Sequence, residues 1–90
     1  MQIEKGCVVR SISGRDADRF YVVMELQDDC ALICDGKVRR LERPKRKNLR
    51  HLRPTKTLLA LEDLTTNNQL RRALRAYNNP EEAGPSTKGR

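Results

Sequence analysis

Apolar residues in this chain come in short bursts. Phe20–Met24, Cys30–Cys34 and Leu58–Leu61 are the longest runs, and charged or polar residues bound each of them. A membrane-spanning helix needs about 20 consecutive apolar residues, so none fits here. Strands do fit, since a typical strand is only ~5–6 residues long and presents alternate residues to its two faces. Ninety residues leave room for one small domain with an arm or tail. Charged residues make up 34% of the chain and hydrophobic residues 37%, a thin core but too apolar a chain for complete disorder. A multi-domain enzyme and a secreted, disulfide-stapled fold are both disfavoured. Met1–Lys5 lacks the apolar stretch of a secretory signal, so a cytoplasmic location is expected. The three cysteines, an odd number, are then expected to be reduced thiols.

The first half reads as strands joined by turns. Cys7–Ile12 is rich in β-branched residues and ends at Ser13-Gly14. Phe20–Leu26 alternates most clearly, with Phe20, Val22, Met24 and Leu26 on one face and Tyr21, Val23 and Glu25 on the other. Asp28-Asp29 turns the chain into Cys30–Cys34, and Asp35-Gly36 predicts a two-residue hairpin into a fourth strand, Val38–Leu41. A fifth strand is expected at Leu49–Leu52, closed by Pro54; the three-residue spacing of its leucines implies a bulge or a single helical turn. The expected fold is mainly β: a small five-stranded barrel over residues 1–55, closed or nearly so because closure removes exposed edges. Its predicted core is Val9, Phe20, Val22, Met24, Leu26, Leu32, Leu41 and Leu49 or Leu52.

Residues 56–79 are expected to form a helical extension. Thr66 and Gln69 fit a capping box, followed by an apolar stripe of Leu70, Ala73, Leu74 and Tyr77 at helical spacing, with Arg71, Arg72 and Arg75 on the opposite face. The stripe is expected to pack on the chain's own sheet. Leu58–Leu64 reads equally as a short helix or an extended segment. Residues 80–90, with two prolines, two glycines and nothing apolar larger than alanine, read as a disordered tail.

The net charge of +7 is concentrated in one place. Residues 1–35 carry four cations against seven acids, whereas residues 36–56 carry ten cations against Glu42 alone. Such a run repels itself unless a polyanion relieves it, which makes nucleic acid the leading partner. The inventory for catalysis is poor. His51 is the only histidine and lies between Arg50 and Arg53, no phosphate-cradling glycine loop is present, and the cysteine spacing does not match a zinc knuckle. No enzyme activity, metal or cofactor is expected. With only Phe20, Tyr21 and Tyr77 aromatic, recognition by base stacking is disfavoured relative to recognition of folded RNA by shape and phosphate.

Gly6–Asp16, followed by Arg19–Val23, resembles the KOW motif, a strand, a turn with a characteristic glycine (here Gly14) and a second strand. Together with Ala31–Arg40, Pro44-Lys45 and Leu49–Leu52, residues 3–55 resemble the KOW-domain RNA-binding proteins of Gram-positive bacteria, which are similar to KOW-type large-subunit ribosomal proteins of archaea and eukaryotes. The resemblance implies an SH3-like barrel whose first loop and adjacent basic surface touch RNA, with ribosomal RNA the expected species, ribosomal proteins as further neighbours, and a monomer. The sequence departs from the family at Ala17-Asp18, where Ala-Gly is usual, and the aspartate shifts weight from this loop to the basic run. The candidate RNA-binding residues are Arg15, Lys37, Arg39, Arg40, Arg43, Lys45, Arg46, Lys47 and Arg50, and of these Arg39, Arg40, Lys45, Arg46 and Lys47 are expected to point outward. The competing reading is a protein-interaction adaptor that docks an acidic partner of the transcription or translation machinery.

Overall fold

The computed structural model describes residues 2–78, so the tail expected at 80–90 lies outside the described residues. Five antiparallel strands form one sheet: β1 (Cys7–Ser11), β2 (Phe20–Gln27), β3 (Cys30–Cys34), β4 (Lys45–Asn48) and β5 (Leu52–Leu58). Their spatial order is β4-β3-β2-β1-β5. Two short helices follow, α1 (Asn67–Ala73) and α2 (Arg75–Asn78), with single 3₁₀ turns at Leu49–His51 and Leu61–Asp63.

The sheet is strongly curled but open. In a flat sheet of five strands the outer two would lie ~19 Å apart, four spacings of ~4.8 Å. Here the outer strands β4 and β5 are joined through the single turn Leu49–His51, and a 3₁₀ helix rises only ~2 Å per residue. The edges must therefore bend toward one another. No ladder joins β4 to β5 among the described residues, so of the closed or nearly closed barrel expected, full closure is not formed.

Both faces of the sheet are buried. Cys7, Val9, Tyr21, Val23, Ala31, Ile33 and Leu52 form one cluster, with Ile3 and Leu49 packed against it. Val8, Val22 and Cys34 form the other with Leu64, Leu70 and Leu74, flanked by Phe20, Met24, Leu41 and Tyr77. The helical stripe covers this second face, which is why Val22 is core as fully as Tyr21 and Val23 on the other. Period two also breaks down within β2. The register moves from Val23↔Ile33 to Glu25↔Leu32, leaving Met24 as an extra residue in a bulge. Beyond it Leu26, expected in the core, is 37% exposed, and Leu32 is only half-buried.

The fourth strand is displaced. Val38–Leu41 is not a strand; residues 35–44 form a loop, and Val38 is exposed. The Asp35 carboxylate explains this, because its Oδ1 accepts from the backbone N–H of Lys37 (2.9 Å) and of Arg39 (2.8 Å). A side chain that satisfies two amides folds the backbone locally and withdraws them from a ladder. Gly36 cannot be replaced cheaply there. Its φ is +80°, and an added Cβ would lie 2.3 Å from the carbonyl oxygen of Asn67 at the start of α1. The strand forms instead from Lys45-Arg46-Lys47-Asn48, a sequence of low strand propensity, because β3 offers it a partner: Cys30↔Asn48, Ala31↔Lys47, Leu32↔Arg46 and Ile33↔Lys45.

The fifth strand expected at Leu49–Leu52 is displaced: Leu49–His51 is a helical turn, one of the two alternatives the leucine spacing left open, and β5 starts at Leu52 and runs on through Pro54 to Leu58. Proline is tolerated because β5 is an edge strand and is irregular against β1 between Cys7 and Val9. The helix begins as expected. Thr66 accepts from the Gln69 amide (3.1 Å) while the Gln69 side chain accepts from the Thr66 amide (3.0 Å). At the other end Asn78 grips β2, its amide accepting from the Phe20 N–H (2.8 Å) and donating to the Phe20 carbonyl (3.0 Å).

Candidate nucleic-acid interface

Two loops and one strand meet at a single region: the turn after β1, the 35–44 loop and β4. The turn after β1 reverses at Gly14, with φ +82°, and closes with the Asp18 N–H on the Ser11 carbonyl at 2.7 Å. Asp18 itself has φ 71°. Aspartate is one of the few residues that enter this left-handed region at modest strain, so the departure at Asp18 leaves the turn intact.

Asp16 organises the region from beneath. Its carboxylate accepts from the Lys47 ammonium (2.8 Å) and the Ser11 hydroxyl (3.0 Å), with Lys45 at 3.7 Å. Burial alone would raise its pKa, but the hydrogen bonds from Lys47 and Ser11 and the charges of Lys47 and Lys45 outweigh it, bringing Asp16 from 3.8 to about 2. Lys47 is buried, 8% exposed, and donates also to the Ser13 carbonyl at 2.9 Å. The Tyr21 phenol, 3.4 Å from Asp16, is pushed up to about 12 by burial and then by Asp16 and Asp35. It stays protonated as a donor.

The expectation of outward side chains is therefore corrected for Lys45 and Lys47. Alternation along β4 sends Lys45 and Lys47 to the face of Ile33 and Ala31, and Arg46 to the other. The first two pair with Asp16, while Arg46 is exposed. Asp35 is 2% exposed and accepts from the Arg19 guanidinium at 2.9 Å, besides holding the loop amides.

This layer floors a groove of about 440 Å³ between the first turn and the 35–44 loop, lined by Arg15, Arg19, Arg39, Lys45 and Lys47 together with Asp16, Gly14, Tyr21 and Val38. A smaller cleft of about 130 Å³ adjoins it through Arg19 and is lined also by Asp35, Lys37, Arg71 and Arg75. Of the nine residues singled out from sequence, Arg15, Arg39, Lys45 and Lys47 line the groove and Lys37 lines the cleft. Arg40 and Arg43 are exposed on the loop. Arg50 belongs to a separate hollow with Asp29, Asn48 and Leu49. Sequence reasoning missed Arg19, Arg71 and Arg75. The helical arginines were legible as a polar face, but only the packing of α1 against Gly36 brings that face beside Lys37.

The cysteines do not assemble. Cys7 and Cys34 are buried in the two different clusters, on opposite faces of the sheet. Burial, then the charges of Asp35 and Glu42, push the Cys34 thiol up to about 11. Among the described residues no group of three or more His, Cys, Asp or Glu side chains gathers as a metal site, and no helix is long and apolar enough to cross a membrane. The chain matches no family model and no curated protein.

Proposed function

We propose that this protein is a non-catalytic binder of structured RNA, engaging phosphates along the groove between the first turn and the 35–44 loop. The observation that carries the reading is a separation of charge. Asp16 and Asp35 are consumed internally by Lys45, Lys47 and Arg19. Arg15, Arg39, Arg40, Arg43 and Arg46 meet no carboxylate at ion-pair distance among the described residues. Guanidinium groups left in this state suit bidentate contact with phosphate.

The aromatic residues argue for phosphate and shape over stacking on bases. Tyr21 is 1% exposed, and Phe20 and Tyr77 face each other with ring centroids 4.9 Å apart. The Leu70, Leu74 and Tyr77 stripe is packed on the sheet, which leaves an adaptor only the basic surface for an acidic partner. The KOW resemblance supplies the finer parts of the proposal: an SH3-like identity for the curled sheet, ribosomal RNA as the species bound, and cytoplasmic work at the ribosome.

Fluorescence anisotropy with a folded ribosomal RNA fragment tests it across a salt series. Engagement of about four to six phosphates gives a log–log slope of about −3 to −5. The combined change Arg15→Gln, Arg39→Gln and Arg43→Gln should reduce the magnitude of that slope by about 2–3 and weaken binding without unfolding the protein. A flat salt response, or unchanged affinity in the triple variant, rejects the reading. RNase-resistant recovery with one protein would favour the adaptor.

A further inference from the structure

We infer that the cleft between the 35–44 loop and α1 is a discrete binding site for a single phosphate group. The site stands on its own geometry; only the source of its phosphate, an RNA strand, rests on the reading above. Four cations line the cleft: Arg19, Lys37, Arg71 and Arg75. One acid, Asp35, is present, and its oxygens are occupied by Arg19 and the two loop amides. Lys37, Arg71 and Arg75 have no carboxylate within ion-pair distance among the described residues. The lining thus holds three uncompensated positive charges around about 130 Å³. That volume is well short of the ~300–1,000 Å³ that encloses a small organic ligand, and it suits one tetrahedral oxyanion.

A second observation comes from Arg19. Its Nη2 is held by Asp35, while its Nε–H is buried and has no acceptor, the one such side-chain atom among the described residues. A buried donor without an acceptor is a defect that native structures seldom keep, and a small rotation of Arg19 toward the cleft that it lines would give this donor an oxyanion as its acceptor. The cleft also shares Arg19 with the groove, so a strand whose backbone follows the groove has its next phosphate, or its phosphorylated end, at the cleft mouth.

The full chain labelled with ¹⁵N and titrated with inorganic phosphate tests the site, with sodium chloride at matched ionic strength as the reference. Saturable shifts confined to the amides of Arg19, Lys37, Arg71 and Arg75 are expected. The double change Arg71→Gln and Arg75→Gln should weaken phosphate at least about tenfold, since two guanidinium partners go and one charge-assisted hydrogen bond alone is worth about that much. Arg72→Gln, exposed on the same helix and outside the cleft lining, should leave it unchanged. Shifts spread over all the basic residues without saturation, or equal losses in the Arg72 variant and the double variant, overturn the proposal.

Two RNAs of one sequence, carrying a 5′-phosphate or a 5′-hydroxyl, then distinguish the source. A preference for the phosphorylated end that the double variant abolishes supports a terminal phosphate. Equal weakening of both RNAs by the double variant, but not by Arg72→Gln, supports an internal phosphodiester. RNA binding that the double variant leaves intact overturns the cleft's part in RNA recognition while the groove reading stands. Localised phosphate binding with no RNA binding retains the site and rejects the RNA function.

Discussion

Asp16 and Asp35 are the two side chains on which the candidate interface is built, and they differ in what they hold. Asp35 secures a loop: two amides and one guanidinium converge on a carboxylate that is 2% exposed. Asp35→Ala should therefore destabilise the fold by about 2–4 kcal/mol, since it leaves two amides and a half-buried cation without a partner. Asp35→Asn keeps an acceptor for the amides and should cost less than half as much; urea denaturation of the two variants measures both. Asp16 secures a strand to a turn, and its lowered pKa ties that contact to pH. A carboxylate whose folded pKa is depressed adds stability that is fully present above the ordinary aspartate range. It is lost as pH falls from about 4 toward 2. The wild type should lose about 1–2 kcal/mol over that window beyond the loss in Asp16→Asn, read from urea midpoints at each pH.

Strands and helices were legible where local chemistry acts alone, and misread where a distant partner decides. The Thr66–Gln69 cap and the stripe behind it carry their own signals, and so do β1, β2 and β3. The fourth strand failed because Asp35-Gly36 signals a tight hairpin, whereas the Asp35 side chain folds the following residues into a loop. Strand β4 then forms from a sequence with almost no apolar content, a choice made by β3 across the ladder. For the same reason the basic run looked uniform from its composition and is not. Lys47→Met should destabilise by about 2–4 kcal/mol, because Asp16 then sits buried with its nearest cation gone. Arg46→Met, one residue earlier and exposed, should change stability by less than about 0.5 kcal/mol. Thermal melts of the pair decide whether alternation along β4 assigns these roles.

At the scale of the whole molecule, with its net charge of +7, Asp16 and Asp35 are taken up internally while Arg15, Arg40, Arg43 and Arg46 stand exposed without a carboxylate partner among the described residues. Exposed cations left without partners repel one another, and salt screens that repulsion within about 10 Å at 0.1 M. Raising sodium chloride from low concentration to about 0.3 M should lift the melting temperature by about 2–5 °C even as it weakens RNA binding. A falling melting temperature would mean that the surface pairs outweigh the repulsion. The edges of the open sheet are guarded by the same charges: β5 carries Pro54 and Lys56, and β4 is a strand of cations. The buried contact between Lys47 and Asp16 has one more effect. A β3–β4 ladder formed one step out of alignment would turn both Lys45 and Lys47 out to water and leave Arg46 alone on the Asp16 face, losing the two-lysine contact. Native alignment is thus favoured by charge, giving a nearly all-polar strand a check on its register that apolar content cannot supply.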